Sequence, residues 1–509
     1  MGIIRRQSLK NSLISYLSVG IGAISSIFIY TLIDRTELGM IQFAISTAAF
    51  FAPFAAFSSS ITATRFYPLF KTEDGKDNGF LTLLTGFTLL LSLFFVGLIY
   101  LFRFQIASFF QKDAEQFLNS LHFILIFTVT IALATLFISF AANQSRIVVP
   151  SIFQNLLPKL AQPTLILLYF FGFIGFTQVF KGLAFSFFLM LVGVVGYVYF
   201  LRKTSFTLPI LRGNQLMKSQ ALEMLKFSSF NLTIVFGSVF AQQADKIFIT
   251  PMLGYEKLAI FGFGAMIAEA IDVPRKALSG IAQPMIAHSI AEKNWAHITE
   301  IYRKTALLQV VAGVFLLTGV WACADSLFDL MLKNGDAYRT GKWIILILGL
   351  SRLADMATGT NAEIITFSEY YRFNFRSFAT MAILNVILNL IFIPIWGIEG
   401  SALATLISIT LVNAWRLVFI KRRFYIHPLD VRMLWVFAFG LLAWFAAYMT
   451  PSVSFDFFPK IGNAFFNIIV KGLIVSILYI YLILYFKIST DLNTGFENIK
   501  NTFYRYIKK

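Results

Sequence analysis

Charged side chains set inside long apolar stretches are the residues of this sequence best placed for chemistry. Lys159 follows Pro158 in the middle of one such stretch, with no acid within a helical turn. A second stretch holds Asp245 and Lys246, and the next holds Glu269, Asp272, Arg275 and Lys276. Further on, Arg352 and Asp355 lie in a stretch that ends near Glu363. A charge at the centre of a bilayer costs about 2.5–3.5 kcal/mol on insertion scales, so such groups either pair or line a wet cavity. Spacing sorts them. Asp272 is three residues before Arg275 and four before Lys276, which allows ion pairs along one helix face. Arg352 and Asp355 have the same three-residue spacing and read as a structural pair. Asp245 and Lys246 point about 100° apart on a helix, so at least one turns away from the other. Glu269 has no near cation on its own helix. Lys181, Lys226, Arg376 and Arg416 lie near the ends of their stretches, where long stems let the charge snorkel. Lys159 has no such outlet. It suits contact with an anion, or else a hydrogen bond to carbonyls freed by the neighbouring prolines.

Other chemistries find no residues. There is no phosphate-binding glycine loop, no His-Glu-x-x-His zinc pattern and no Gly-x-Ser-x-Gly elbow. Cys323 is the only cysteine, so no disulfide forms within the chain, and His122, His288, His297 and His427 are far apart. The expectation is a non-enzyme with no catalytic residue, metal or cofactor.

The elements that position these charges follow from composition. The 509 residues are 58% hydrophobic, 17% aromatic and 13% charged, whereas soluble chains run near 45–50% apolar and about 25% charged. The surplus apolar surface must face lipid. Spans of about 20 residues read at 11–31, 38–62, 79–102, 118–141, 148–171, 177–201, 225–250, 258–281, 304–328, 343–366, 374–394, 398–420, 432–450 and 464–486. Barrel strands would be half as long and alternate in polarity, so these fourteen are helices. The N-terminal run after Arg5, Arg6 and Lys10 is too long for a signal peptide's apolar region and reads as the first span. With the N-terminus inside, Arg5, Arg6, Arg65, Arg202-Lys203 and Lys421-Arg422-Arg423 all fall on the cytoplasmic side, and the outer segments keep few cations. The net charge of +17 is thus topological. It does not mark nucleic-acid binding, and both termini are expected in the cytoplasm.

The two halves echo each other. A shift of 220 brings Asn11 to Asn231, Ser18-Val19 to Ser238-Val239, Leu38 to Leu258 and Ser59 to Ser279. Gly172-Phe173-Ile174-Gly175 before span six is matched by Gly397-Ile398-Glu399-Gly400 before span twelve. An even number of spans per unit makes the repeats parallel. The expected division is an N-lobe at 1–203, a cytoplasmic linker at 204–224, a C-lobe at 225–423, and two extra spans with a cytoplasmic tail at 424–509. Breaks at corresponding places in two halves point to a transporter's site. Pro53 and Pro274 lie at such places, and with Pro158 they are hinge candidates.

Fourteen spans in this arrangement resemble the MOP superfamily of MATE exporters, lipid II flippases and polysaccharide flippases. The stretch Gln243-Ala244-Asp245-Lys246-Ile247-Phe248-Ile249, then Met252-Leu253-Gly254, Asp272-Val273-Pro274 and Ala282-Gln283-Pro284, is similar to the Wzx-type O-antigen branch. Arg35-Thr36-Glu37-Leu38-Gly39 and Arg65 resemble it too. The resemblance implies an all-α integral membrane fold, V-shaped and MATE-like: two parallel six-helix lobes plus two C-terminal helices. It implies a flippase for undecaprenyl-diphosphate-linked oligosaccharide in a bacterial inner membrane, working by alternating access. Cavity candidates are Arg65, Lys159, Asp245, Lys246, Glu269, Asp272, Arg275, Lys276 and Arg352. Membrane lipids, the polyprenyl-diphosphate-linked glycan, a polysaccharide polymerase and glycosyltransferases are the expected partners, with coupling to membrane potential or to Na+ or H+. The alternatives are a cation-coupled multidrug exporter, using Asp245, Glu269 and Asp272, and a membrane-embedded glycosyl- or acyltransferase, for which no catalytic cluster is visible.

Overall fold

A computed structural model of the chain describes Lys10, Ile14 and residues 17–71, 77–144, 146–201, 215–456 and 459–497. Arg5, Arg6, Asn11 and residues 204–214 of the expected linker lie outside them. The described residues are helical and contain no strand. This is what a chain solvated by lipid requires, because each backbone amide and carbonyl must find its partner within the segment.

The first unit comprises Met1–Gly262 with Ala382–Ser401. Its helices are α1 (Leu17–Leu32), α2 (Arg35–Ala55), α3 (Ser59–Phe70), α4 (Phe80–Leu101), the short α5 (Arg103–Ala107), α6 (Ala114–Asn143), α7 (Val148–Ser151), α8 (Leu157–Phe170), α9 (Phe176–Phe200) and α10 (Gln215–Leu253). Helix α10 begins at Gln215, inside the stretch read as a linker. The wide π turn Ile152–Leu156 joins α7 to α8, so the proline-rich fifth span stays helical throughout. Span two breaks after Pro53: α2 ends at Ala55, Phe57 and Ser58 take positive φ, and α3 follows. Asp34 caps α2, its carboxylate accepting from the Thr36 amide at 2.7 Å.

The second unit comprises Phe263–Met381 with Ala402–Lys509. It takes in most of α11 (Tyr255–Ile271), then α12 (Val273–Ala291), α13 (Trp295–Ala322), α14 (Ala324–Asp329), α15 (Gly335–Arg339), α16 (Lys342–Ala357) and α17 (Asn361–Phe367). Parts of α18 (Tyr371–Phe424) follow, then α19 (Val431–Met449) and α20 (Lys460–Tyr485). Val310, Val314, Leu353, Val436, Phe439 and Tyr479 pack into one buried core, and the Tyr479 hydroxyl donates to the Val311 carbonyl at 2.9 Å.

Among the described residues eight helices are individually long and apolar enough to cross a membrane, and the pair α16 and α17, bent by 48°, adds a ninth if it counts as one broken span. The other expected spans correspond to α1, α7 with α8, α10, α11 with α12, and the second arm of α18. Helix α18 is not straight, since Gly397 takes φ 60° and ψ −134°, a left-side conformation open to glycine. Contacts fall symmetrically about it, Asn389 with Ser401 and Ser377 with Arg416, so the chain reverses there. Gly172, its counterpart in the first half, also has positive φ. The repeat is visible elsewhere: α2 and α11 begin at Arg35 and Tyr255, the offset read from the sequence.

Gly39 brings α2 against the start of α11. A Cβ at this position would lie 1.9 Å from the Tyr255 carbonyl oxygen, a backbone atom with no room to move. Gly39→Ala should therefore destabilise the protein by about 1–3 kcal/mol, the usual cost of forcing an extra methyl into a packed site. Gly86→Ala, where nothing lies within 4 Å, is the control. Thermal melts in detergent check this, and equal midpoints for the two variants would refute the packing argument.

Candidate functional site

The break between α11 and α12 falls at Asp272, where the carboxylate is buried. Arg275 lies one turn on. Its Nε donates to Asp272 Oδ1 at 2.6 Å and its Nη2 to Oδ2 at 2.9 Å, the two-pronged geometry a guanidinium makes with a carboxylate. Lys276 Nζ stands 3.6 Å from the same Oδ2. Both ion pairs expected from spacing thus form.

Asp355 differs from the sequence expectation. Its carboxylate meets Arg275 of α12 at 3.3 Å and accepts from Asn413 Nδ2 of α18 at 2.9 Å. Arg352, its expected partner, is half-buried with an Nε that has no partner. The reason is packing: the two-carboxylate site of Arg275 lies on Asp355's side, and a cross-helix bond satisfies both groups. Asn413 in turn accepts from Asn361 Nδ2 at 3.2 Å. Asn361 opens α17 just past the bend, so the broken tenth span delivers a polar residue to the network.

Arg416 is a second correction. Placed near a span end, it reads as a snorkelling cation, yet it is 4% exposed. Its Nε donates to Ser377 Oγ at 2.8 Å, its guanidinium carbon lies 4.4 Å from the Phe378 ring centroid, and its Nη2 has no partner. The hairpin at Gly397 folds Ser377 back onto it.

In the first unit Asp245 lies in an amide network. Asn389 Nδ2 donates to Asp245 Oδ1 at 3.2 Å and to Asn385 Oδ1 at 2.9 Å, while Ser401 Oγ donates to Asn389 Oδ1 at 2.6 Å. Asn385 and Asn389 are four residues apart on one face of α18, and both are buried. These oxygens are hard donors of the kind that suits Na+ or a shared proton. No group of three His, Cys, Asp or Glu side chains gathers among the described residues.

Of the remaining candidates, Arg65, Lys246 and Glu269 show no contact with either cluster among the described residues. Glu269 is exposed and Lys246 half-buried. Exposed Arg65 lies over the Phe227 ring at 4.2 Å. Lys159 is exposed beside α1, where its Nζ would lie 3.6 Å from a Cβ on Gly22. Sequence reasoning passed over Asn361, Asn385, Asn389, Ser401 and Asn413, because neutral amides give no charge signal. The presence of Asn385 and Asn389 in a run as apolar as Ile383–Ile395 was the available clue.

At one end of the first unit the two sequence halves are latched. Asp113, in the turn before α6, accepts from the Tyr255 amide at 3.0 Å. The Gln111 amide donates to the Pro251 carbonyl at 3.1 Å, and Arg35 pairs with Glu256 at 3.2 Å.

A MatE family model matches residues 232–391, a segment that contains Asp245, Asp272, Arg275, Asp355 and Asn389. No curated protein matches the sequence. Among solved structures, lipid II flippase MurJ in an inward closed conformation superposes with a TM-score of 0.71 at 14% identity, over 94% of this chain and 98% of its own. A Vibrio cholerae MATE transporter gives 0.54 at 15% identity, over 84% and 98%. An inward-facing multidrug resistance MATE transporter of the MOP superfamily gives 0.53 at 13% identity, over 85% and 95%. This chain has the MurJ and MATE transporter fold. It is a multi-pass membrane protein of transporter architecture. Within that transporter fold, the Arg275 network is built from this chain's own side chains.

Removing the partner of a buried charge such as Asp272 strands it, at a cost of up to about 3–5 kcal/mol. Arg275→Ala should lower the melting midpoint sharply, and Asp355→Asn in the same chain should restore part of it. A double variant no more stable than the single one would show that the two charges are not coupled.

Proposed function

We propose that this protein is a flippase that carries a polyprenyl-diphosphate-linked oligosaccharide across the inner membrane for cell-surface polysaccharide synthesis, by alternating access. The observation that carries this reading is the charge balance around Asp272. Its carboxylate is already shared by Arg275 and Lys276, and Asp355 is held by Arg275. Neither acid is left for a cationic drug. Lys276, by contrast, keeps its ammonium 60% exposed, and Arg65 and Lys159 are exposed as well. Exposed cations of this kind suit a diphosphate. A diphosphate carries about two charges, each worth about 2.3 kcal/mol per 100 mV, so outward movement from a negative-inside cell gains about 4–5 kcal/mol. The extent of the superposition on the lipid II flippase supports the same choice.

Proteoliposomes loaded with an undecaprenyl-diphosphate oligosaccharide test this. Lys276→Ala should slow translocation about tenfold and Lys276→Arg should retain it. Absence of translocation by the parent protein, together with efflux of a cationic dye, would overturn the reading in favour of a drug exporter.

That second reading has its own support in the Asp245 network and in the MatE match that spans it. In either case Asp245 would bind the coupling cation, with Asn385, Asn389 and Ser401 supplying oxygens. Asp245→Asn should then remove the dependence of transport rate on a Na+ or pH gradient, measured in the same vesicles. A gradient dependence unchanged in the variant would remove Asp245 from coupling.

A further inference from the structure

Beside the latch, the first unit encloses an apolar cleft of about 430 Å³. Phe43, Phe50 and Phe51 of α2, Ile106 of α5, Phe110 before α6 and Phe248 of α10 form much of its wall. Volumes of 300–1,000 Å³ are those of ligand sites, but such sites place a few polar groups to orient their ligand. Here the lining offers one side-chain heteroatom that can hydrogen-bond, Thr47 Oγ1, which is buried without a partner. The ligand is therefore nearly all hydrocarbon.

Two observations say which hydrocarbon. The surface around the cleft is lipid-facing: Leu90, Phe94, Leu101 and Phe104 are all exposed, and Phe109, itself part of the lining, is 74% exposed. A chain entering the cleft comes from the bilayer. The rim also carries a cation. Arg103 opens α5 one turn before Ile106, donates to the Tyr100 carbonyl at 3.0 Å, and lies over the Tyr100 and Phe104 rings at 4.2 and 4.4 Å. An arginine held among aromatic rings at a span's end sits at headgroup depth.

We propose that the cleft seats one acyl chain of an anionic membrane phospholipid whose phosphate meets Arg103. On the expected topology this is a lipid of the outer leaflet. Because the walls come from α2 and α6 on one side and α10 on the other, the chain bridges the two sequence halves next to Asp113 and Tyr255. The site is separate from the charged networks and does not depend on what the protein carries.

The test uses the full-length protein in vesicles containing a phosphatidylglycerol with a photoactivatable diazirine in one acyl chain. Cross-links are mapped by peptide mass spectrometry. Adducts should concentrate on residues 43–51 and 247–252. Ile106→Trp, which fills the cleft, should cut them at least fivefold. Arg103→Gln should cut labelling by phosphatidylglycerol more than labelling by a diazirine phosphatidylcholine, whose phosphate is offset by its own ammonium. Phe109→Trp is the alternative filler if the first variant elutes as aggregate. Adducts spread evenly over lipid-facing helices, or insensitive to both fillers, would overturn the proposal. So would displacement of the label by equimolar undecaprenyl diphosphate, which would make the cleft part of the cargo path.

Discussion

A charge in hydrocarbon must be compensated where it stands, and Arg275 is where this chain meets that demand. One guanidinium holds Asp272 on its own helix and Asp355 on α16. The desolvation of three charges is offset by close geometry and by the amide hydrogens of Asn413. Remove any one and the rest are stranded at low dielectric. The cluster ties together α12, α16, α17 and the second arm of α18. The α11–α12 break at Asp272 and the bend between α16 and α17 lie next to the residues that those elements contribute.

The breaks have a common logic. A helix interruption in a membrane is tolerated only where neighbouring side chains or water satisfy the freed backbone groups. Span eight breaks at Asp272, span ten bends before Asn361, and the chain reverses at Gly397. In the fifth span a π turn takes the place of a break. Irregular backbone and buried polarity occur together at Asp272 and Asn361, and this is also where a transporter needs residues that can reach a substrate or ion.

Much of this was legible in the residues. The long apolar runs gave helices, the shared offset between halves located α2 and α11, and the Gly-Phe-Ile-Gly and Gly-Ile-Glu-Gly echo marked two reversals. The i, i+3 and i, i+4 spacing placed Arg275 and Lys276 on Asp272. Spacing along one helix carries no information about partners on another. Hence Asp355 was assigned to Arg352, Arg416 to the interface, and the asparagines of α18 to no role. Those contacts depend on how helices pack, and a hydropathy pattern leaves that packing open.

Arg416 carries a consequence for how the protein is made. A lone arginine entering the bilayer would be costly to insert, yet its hydrogen-bond partner Ser377 and its ring partner Phe378 lie on the preceding arm of the same hairpin. Both arms are adjacent in the chain. The translocon can therefore release them together, with the arginine already sheltered before the later spans have been synthesised.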